Sequence, residues 1–227
     1  MGGVRKAHLE VLGEPLLLHA IRPFLEHPAV VSIVVALAPD EAVYPPKWLV
    51  ELDDRVEVVQ GGRTRAESVR AALRAFDPPP PFVAVHDAAR PLVDRGILDR
   101  CLEVVRMGDA AVAGWPVVDT LKEVDEGGRV TGTPDRRRFW RAQTPQVFPF
   151  LDLLNAYDRA DEAAMQATDD AGFAERFGVR VRMVEGGAWN LKVTHSEDVW
   201  IAEHLLRLRR RASEDGVGAS PDRREGG

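Results

Sequence analysis

Short apolar runs and longer amphipathic segments alternate along the chain. The run over 30–37 is almost wholly apolar and rich in β-branched residues, which is typical of a strand buried on both faces of a parallel sheet. Over 65–76, apolar residues recur at helical spacing, and the prolines at 78–81 end the predicted helix. Between 56 and 118, each predicted strand is separated from the next by a single helix.

The same patterns predict the remaining elements. Strands are predicted at 30–37, 56–59, 82–85, 110–118, 179–184 and 190–194, helices at 65–76, 97–105, 149–159, 171–177 and 196–208, and a hairpin at 122–133. A polar loop over 143–146 is expected to open the helix at 149. Strands joined by single helices form βαβ units, so the pattern predicts an α/β fold with a mostly parallel sheet and helices on both faces.

The end of the chain has a different composition. After Leu208 the sequence is polar and Gly-rich and has no apolar periodicity, which is typical of a disordered segment. We therefore expect one folded domain over 1–210 and a disordered tail over 211–227.

Charge and composition narrow the classes of partner. Lys plus Arg total 30 and Asp plus Glu total 36, a net charge of −6, whereas general nucleic-acid or anionic-membrane binders are usually basic. The longest apolar run, 29–38, is too short to span a membrane, and the first residues have no apolar stretch of the kind a signal peptide needs. We expect a cytoplasmic protein with no nucleic-acid and no membrane partner.

Polar residues follow the predicted strands at the edge where open α/β sheets bind ligands. Gly61 and Gly62 stand between a strand and a helix, where they favour either a tight turn or a close approach of backbone to an anion. Asp87 and Arg90 follow the next strand. They form either a structural ion pair or a site in which Asp87 accepts from a hydroxyl or supports a metal while Arg90 holds a phosphate.

Two further polar clusters can be explained either as ligand sites or as ordinary structural features. Arg136, Arg137, Arg138 and Arg141 form a local anion site or a solvated charge run. Thr168 precedes two aspartates, and simple capping of the next helix is the favoured explanation of this cluster, with a functional role as the alternative. Cys101 lies at helical spacing among apolar residues and is predicted to be core, and the histidines have no metal-ligand spacing. Together, these candidate residues indicate a site that binds anions and does not use covalent catalysis.

Seven motifs in order carry a family resemblance over 6–206. They are Gly61-Gly62-x-x-Arg65-x-x-Ser68, Val85-His86-Asp87-Ala88-Ala89-Arg90-Pro91, Pro116-x-x-Asp119-Thr120, Asp135-Arg136, Thr144-Pro145-Gln146, Thr168-Asp169 and Asn190-x-Lys192-Val193-Thr194. Together they resemble the 2-C-methyl-D-erythritol 4-phosphate cytidylyltransferases of non-mevalonate isoprenoid biosynthesis. The resemblance implies a Rossmann-like nucleotidyltransferase fold with a protruding β-hairpin arm at about 120–135.

The family transfers a cytidylyl group from CTP to 2-C-methyl-D-erythritol 4-phosphate and releases pyrophosphate, with Mg²⁺ or another divalent cation. The resemblance assigns catalytic roles to Lys6, Arg136 and Lys192, nucleotide binding to Gly61, Gly62, Arg65, Ser68 and Ala88, and substrate binding to Asp87, Arg90, Thr120, Thr144 and Thr168. No metal ligand is assigned. The alternatives are a ribitol-5-phosphate or other sugar-phosphate cytidylyltransferase, and an inactive nucleotidyltransferase-like protein.

The resemblance also implies a homodimer whose hairpin arms clasp each other. A lone two-stranded hairpin is marginal in water, so a partner for the hairpin at 122–133 is physically sensible. In the family, the groups that correspond to Thr120 and Arg136 reach the site from the partner subunit.

One departure from the family concerns its opening strand and Gly-rich loop, of the form Ala-Ala-Gly-x-Gly-x-Arg-Met-Gly. Only Met1-Gly2 matches the end of that motif. We expect a start codon placed too late, with a real truncation as the alternative. One lost transition-state donor typically costs ~10²–10³ in rate, so loss of the whole loop should leave essentially no activity. Without that strand, two strand edges should be left unpaired inside the sheet.

Overall fold

The computed structural model describes residues 9–160 and 168–214. Its strands are β1 (Glu10–Val11), β2 (Glu14–Pro15), β3 (Ile33–Leu37), β4 (Val56–Gln60), β5 (Phe82–Val85), β6 (Ala110–Pro116), β7 (Glu123–Val124), β8 (Val130–Gly132), β9 (Trp140–Pro149) and β10 (Val181–Glu185). Its α-helices are α1 (Leu16–Leu25), α2 (Pro39–Val43), α3 (Lys47–Val50), α4 (Arg65–Leu73), α5 (Arg95–Arg106), α6 (Phe150–Arg159), α7 (Asp170–Arg176) and α8 (Ser196–Glu214). A short 3₁₀ turn covers Arg136–Arg138.

The central sheet has the strand order β10-β6-β9-β5. β10 and β6 are parallel, and β9 runs antiparallel to both of its neighbours. β3 and β4 form a separate parallel pair, with Ile33 opposite Val56 and Leu37 opposite Gln60. All strands of these two sheets except β9 follow the predicted βαβ pattern, so the α/β class with a mostly parallel arrangement is confirmed.

Helices cover both faces of the sheet, as the sequence predicted. On one face, apolar residues of α4, α6 and α7 pack on β5, β6 and β9, and the rings of Tyr157 and Phe173 stack with centroids 4.5 Å apart. On the other face, α5 packs its Ile97, Leu98 and Cys101 against the sheet, together with Phe24 of α1. Cys101 is therefore a core residue, and burial raises the pKa of its thiol to about 12.

A gap separates the two sheets. In the described part of the chain, β3 pairs only with β4, and β5 pairs only with β9. The facing edges of β3 and β5 border a cavity of about 800 Å³. The unpaired edges expected from the sequence are therefore present. The expectation that 30–37 is buried on both faces was wrong, because Val31 is 72% exposed and the strand begins only at Ile33.

Three local predictions differ from the structure. Residues 143–146 belong to the long strand β9 and not to a loop, and Gln143, Thr144 and Gln146 are buried there with partners for their polar groups. Residues 190–194 belong to no helix or strand. The last helix runs to Glu214, beyond the predicted ends of the helix and of the domain, because its regular pattern continues through several arginines. The remainder of the predicted tail lies outside the described residues.

The predicted hairpin at 122–133 is present as β7 and β8, joined by a turn in which Asp125 accepts from the backbone N–H groups of Gly127 and Arg129. Val124 and Val130 are 56% and 55% exposed. None of the described helices is long and apolar enough to cross a bilayer.

Candidate active site

Asp87 stands at the carboxyl end of β5 and is the centre of a charged cluster. Lys192 Nζ lies 2.8 Å from its Oδ2, and Arg65 Nε lies 3.2 Å from its Oδ1. Arg90 Nε is 4.0 Å from the same Oδ2. Burial opposes ionisation of Asp87, but the charges of Arg65 and Lys192 outweigh it and hold its pKa below the usual range. The carboxylate is therefore ionised at neutral pH.

Arg65 belongs to the first turn of α4, which begins where Thr64 Oγ1 accepts the backbone N–H of Glu67. Its guanidinium donates twice to the carboxylate of Asp170, at 3.0 and 2.7 Å. The hydroxyl of Tyr157 donates to the same carboxylate at 2.6 Å. Burial and the neighbouring Asp170 charge raise the pKa of Tyr157, so this hydroxyl keeps its proton.

Asp170 has no exposed side-chain surface, whereas Arg65 is 38% exposed. One side of the guanidinium is thus fixed by a buried carboxylate, and the other side is presented to Asp87 and to solvent. Lys192, 43% exposed, is similarly accessible. Three cations and two carboxylates leave this cluster with one net positive charge, which suits an anionic ligand.

Thr144 and His86 support Asp87 from the sheet. The hydroxyl oxygen of Thr144 accepts the backbone N–H of Asp87 at 3.0 Å and lies 2.9 Å from His86 Nδ1. His86 Nε2 lies 3.1 Å from the carbonyl oxygen of Arg90. Burial lowers the pKa of His86 to about 4, so the ring is neutral at physiological pH. Thr144 is itself 4% exposed, and its hydroxyl is engaged on both sides.

Arg90 is held mainly by backbone. Its Nη1 donates to the carbonyl of Asn190 at 2.8 Å and its Nη2 to that of Ala142 at 3.4 Å. Val193 N–H also donates to the carbonyl of Ala89, so the 190–194 segment is fastened beside the Asp87 turn. This fastening places Lys192 against Asp87. The Arg90 fork that the sequence offered to a phosphate is thus occupied by carbonyl oxygens.

Two buried side-chain atoms near these contacts have no hydrogen-bond partner among the described residues. They are Arg90 Nε and Asn190 Oδ1. The Asn190 side chain otherwise donates to Gln143 Oε1 and to the carbonyl of Thr144. Buried polar atoms are usually paired, so unpaired ones beside a cationic cluster are compatible with a ligand or water contact there.

Gly61 and Gly62 connect β4 to α4. Gly61 N–H donates to the carbonyl of Leu37, and Gly62 N–H donates to Ser68 Oγ. A Cβ on Gly62 would lie 2.1 Å from Cβ of Glu67, and one on Gly61 would lie 2.8 Å from Ser68 Oγ. Both glycines are therefore required by the tight turn itself. Their role in nucleotide binding stays a prediction, as does that of Ser68.

The other predicted site residues divide into three groups. Ala88 lies in the turn after Asp87 and lines the cavity between β3 and β5. Thr168 is exposed, one residue before the cap of α7. Thr120 and Arg136 are exposed at the base of the hairpin, and within the described residues no hydrogen bond or ion pair joins them to Asp87; Arg136 Nη1 donates to the carbonyl of Val118. Lys6 lies outside the described residues.

Asp170, Tyr157 and Gln146 support the site but were not predicted as site residues. Gln146 donates to Asp169 and accepts the backbone N–H of Ala171, which fixes the start of α7. For Asp170 the sequence offered only the pair of aspartates at 169 and 170, and Gln146 appeared only as the last residue of the Thr144-Pro145-Gln146 motif. Asp169 is the cap of α7, whereas Asp170 turns inward to Arg65.

The described residues contain no group of three or more His, Cys, Asp or Glu side chains arranged to hold a metal ion. Asp87, the carboxylate at the centre of the site, is already contacted by two cations. A divalent cation at this site would therefore need ligands from a bound substrate, as Mg²⁺ commonly has when it binds with phosphates.

Comparison with known proteins assigns this arrangement to a family. The model of the 2-C-methyl-D-erythritol 4-phosphate cytidylyltransferase family, IspD, matches residues 1–208. The chain belongs to this family. Its similarity extends to a Symbiobacterium thermophilum protein of that name, 43% identical over 206 residues that cover 90% of this chain and 86% of the relative. A Xanthomonas campestris protein of that name is 42% identical over 96% of this chain and 82% of its own length.

Solved structures of cytidylyltransferases have the same fold. The 2-C-methyl-D-erythritol 4-phosphate cytidylyltransferase from Thermus thermophilus is 37% identical, with a TM-score of 0.77 over 89% of this chain and 94% of that one. The 4-diphosphocytidyl-2C-methyl-D-erythritol synthase from Anaerococcus prevotii is 27% identical, with a TM-score of 0.80 over 88% and 93%. The family and fold predictions from the seven motifs are confirmed.

Proposed function

We propose that this chain is a nucleotidyltransferase that joins CTP to 2-C-methyl-D-erythritol 4-phosphate and releases pyrophosphate. The observation that carries the proposal is the family match over 1–208, which includes the residues that converge on Asp87. An oxygen of the acceptor phosphate attacks the α-phosphorus of CTP. The new oxygen–phosphorus bond forms as the bond to the β-phosphate oxygen breaks, and pyrophosphate leaves with that electron pair.

The chain's own residues supply positioning and positive charge for this step. Lys192 and Arg65 are the accessible cations, and Asp87 fixes both of them at 2.8 and 3.2 Å. Negative charge builds on the phosphoryl oxygens during transfer, so fixed cations stabilise the transition state more than mobile ones do. Asp87 and Thr144, with Arg90 behind them, form the wall against which the acceptor binds.

The assembly is proposed as a homodimer. Arg136 and Thr120 stand apart from the Asp87 cluster, at the base of an exposed hairpin with two exposed valines. Arms that clasp each other bury those valines and bring Arg136 of the partner subunit toward the acceptor phosphate. Mg²⁺ is proposed to enter with the triphosphate of CTP, whose charge it reduces. A cytoplasmic location stays a prediction from composition.

Acceptor binding is the primary test, because it reports on the Asp87 cluster independently of turnover. Titration calorimetry should detect binding of 2-C-methyl-D-erythritol 4-phosphate. Binding of ribitol 5-phosphate should be weaker. Lys192→Met should weaken the first by roughly 10- to 100-fold, the value of a charge-assisted hydrogen bond. Lys47→Met is the matched control, since Lys47 is 84% exposed in α3.

Pyrophosphate release is measured with the same proteins. Release that requires CTP and is fastest with the methylerythritol acceptor supports the proposal. Tighter binding and faster release with ribitol 5-phosphate would transfer the assignment to that acceptor. Binding of neither acceptor, together with no release, would identify the chain as an inactive member of the family.

A further inference from the structure

Helix α8 has one face in the core and one face that no described part of the chain covers. Its inner face packs into an apolar cluster of the core through four side chains: Val199, Ala202, Leu205 and Leu206. On the outer face, Trp200 is 70% exposed, Ile201 is 50% exposed and Leu208 is 47% exposed. Large apolar side chains grouped on one exposed face are typical of an interaction surface.

The outer face is centred on His204, which is itself exposed. Six more exposed residues lie around it: Glu197, Trp200, Ile201, Arg207, Leu208 and Arg211. With 3.6 residues per turn, all of them fall within roughly 60° of His204 when the helix is viewed along its axis. We name these seven residues the α8 stripe.

Opposite charges stand at the two ends of the α8 stripe, at equal distances from its centre. Glu197 lies seven positions before His204, and Arg211 lies seven positions after it. Hydrogen bonds from its own backbone and from the Ser196 hydroxyl hold the pKa of Glu197 below the usual range, so it is ionised. When two copies of α8 lie antiparallel about a two-fold axis at His204, each Glu197 meets Arg211 of the partner subunit.

The middle of the stripe is complementary in the same arrangement. Ile201 and Leu208 lie on one side of the stripe, three positions before and four positions after His204, so each Ile201 meets Leu208 of the partner subunit. Trp200 and Arg207 lie on the other side, at four and three positions, where a guanidinium over an indole ring is favourable. Arg207 already donates to Glu203 at 2.6 Å, which holds it at this edge of the stripe.

The charges of α8 favour a second copy of the chain over a phospholipid surface. Helices that lie on membranes usually have a basic polar face. Here Glu197, Asp198 and Glu203 accompany the arginines of α8, and the whole chain has a net charge of −6. The two signs are arranged so that the stripe matches itself.

We propose that the α8 stripe is a self-association surface that binds α8 of a second copy of this chain, antiparallel about a two-fold axis at His204. The stripe is separate from the hairpin of β7 and β8, and it contains no residue of the candidate active site. Its 15 positions span about 22 Å, so the contact is at the small end of specific interfaces and forms only at high protein concentration.

Sedimentation equilibrium of the full chain, from about 10 μM to about 1 mM, tests this proposal in the range of weak association. The weight-average mass should rise above its dilute plateau, whatever that plateau is. Glu197→Arg and Arg211→Glu each place like charges at both ends of the contact, and each should raise its dissociation constant roughly tenfold. Glu103→Arg is the matched control, because it makes the same charge change at an exposed residue of α5.

Mixing the two defective variants provides the decisive arm of the experiment. In a mixed pair, arginines at 197 and 211 of one chain meet glutamates at 211 and 197 of the other, so the mixture should recover the affinity of the unmodified chain. The double variant, Glu197→Arg with Arg211→Glu, should recover it as well. Circular dichroism reports whether each single variant keeps its helices, and if one does not, the double variant decides.

Four results would overturn the proposal. The first is a mass that stays at its dilute plateau up to about 1 mM. The second is association of the single variants equal to that of the unmodified chain. The third is a lack of recovery in both the mixture and the double variant. The fourth is binding of the unmodified chain to phosphatidylglycerol vesicles without self-association, which would identify a membrane surface as the partner of the stripe.

Discussion

The carboxylate of Asp170 accepts both hydrogen bonds of the Arg65 fork, at 3.0 and 2.7 Å, across 105 positions of sequence. The pair joins the amino-terminal turns of α4 and α7 and leaves Arg65 Nε directed at Asp87. The side chain of Asp170 is fully buried, so its geometry determines where Arg65 can lie. The hydroxyl of Tyr157, on α6, donates a third hydrogen bond to the same carboxylate.

Tyr157→Phe should lower the free energy of unfolding by about 2 kcal/mol, since the hydroxyl donates to a buried charged group. Asp170 keeps its two bonds to Arg65, so the fold itself should persist. Urea unfolding measures the change. Tyr44→Phe, at a side chain that is 85% exposed, removes the same atom and should change nothing. Equal values for the two variants would contradict the role assigned to Tyr157.

Stability should fall as the pH drops from about 6.5 to about 4, because of His86. Its pKa is lowered to about 4 in the folded chain by burial, against 6.5 as the ordinary value. In that window the unfolded state binds the proton and the folded state does not, so acid favours unfolding. The full difference corresponds to roughly 3 kcal/mol. Urea unfolding at pH 7 and at pH 4.5 measures most of it.

His86→Gln removes this titration and keeps a polar side chain beside Thr144. The difference between the two pH values should shrink by about 2 kcal/mol. His204→Gln is the matched control, because His204 is exposed on α8. The assignment to His86 fails if both variants keep the full pH dependence or lose it to the same extent.

The sequence predicted correctly those elements in which the apolar pattern shows which side chains are buried. β5 was predicted at its observed bounds, and α5 and α6 within about two residues, because these elements carry a regular apolar face. β9 was missed because Gln143, Thr144 and Gln146 are polar and nevertheless buried. Their hydrogen bonds to Gly187, Asp87 and Asp169 make that burial possible, and those partners are distant in sequence.

In the candidate site, too, residues marked by local sequence patterns could be predicted, and residues whose partners are distant in sequence could not. Asp87 and Arg65 could be named because Asp87 follows a strand and Arg65 opens a helix at the edge where ligands bind. Lys192 could be named only from its motif, Asn190-x-Lys192-Val193-Thr194. Asp170 could not be separated from the cap beside it, because its partner comes from another helix. If the hairpin arms clasp as proposed, the position of Arg136 relative to Asp87 is set by a second subunit, which no pattern within one chain specifies.

The hairpin should be the dimer contact. Val124→Asp with Val130→Asp should convert a dimer to a monomer in size-exclusion chromatography with light scattering. Each buried charge that costs about 1.4 kcal/mol raises the dissociation constant about tenfold. Val43→Asp, at an equally exposed valine (63%) in α2, should leave the dimer intact. An unmodified chain that is monomeric, or a monomeric variant with full activity, would refute the arm hypothesis.

Gly62→Ala should destabilise the turn that presents Arg65. The added Cβ would lie 2.1 Å from Cβ of Glu67, whose carboxylate accepts the backbone N–H of Arg63. The helix start must shift to relieve this contact, and overpacking of this kind costs about 2 kcal/mol. Urea unfolding measures the loss.

Gly127→Ala is the control for the same methyl group in open surroundings. The nearest atom to a Cβ on Gly127 is Asp125 Oδ1 at 3.4 Å, so its unfolding free energy should change by less than about 0.5 kcal/mol. A shift of the α4 start would also move Arg65 relative to Asp170, so Gly62→Ala and Tyr157→Phe should not be additive. Additive losses would mean that the turn relaxes locally and that Arg65 is positioned by Asp170 alone.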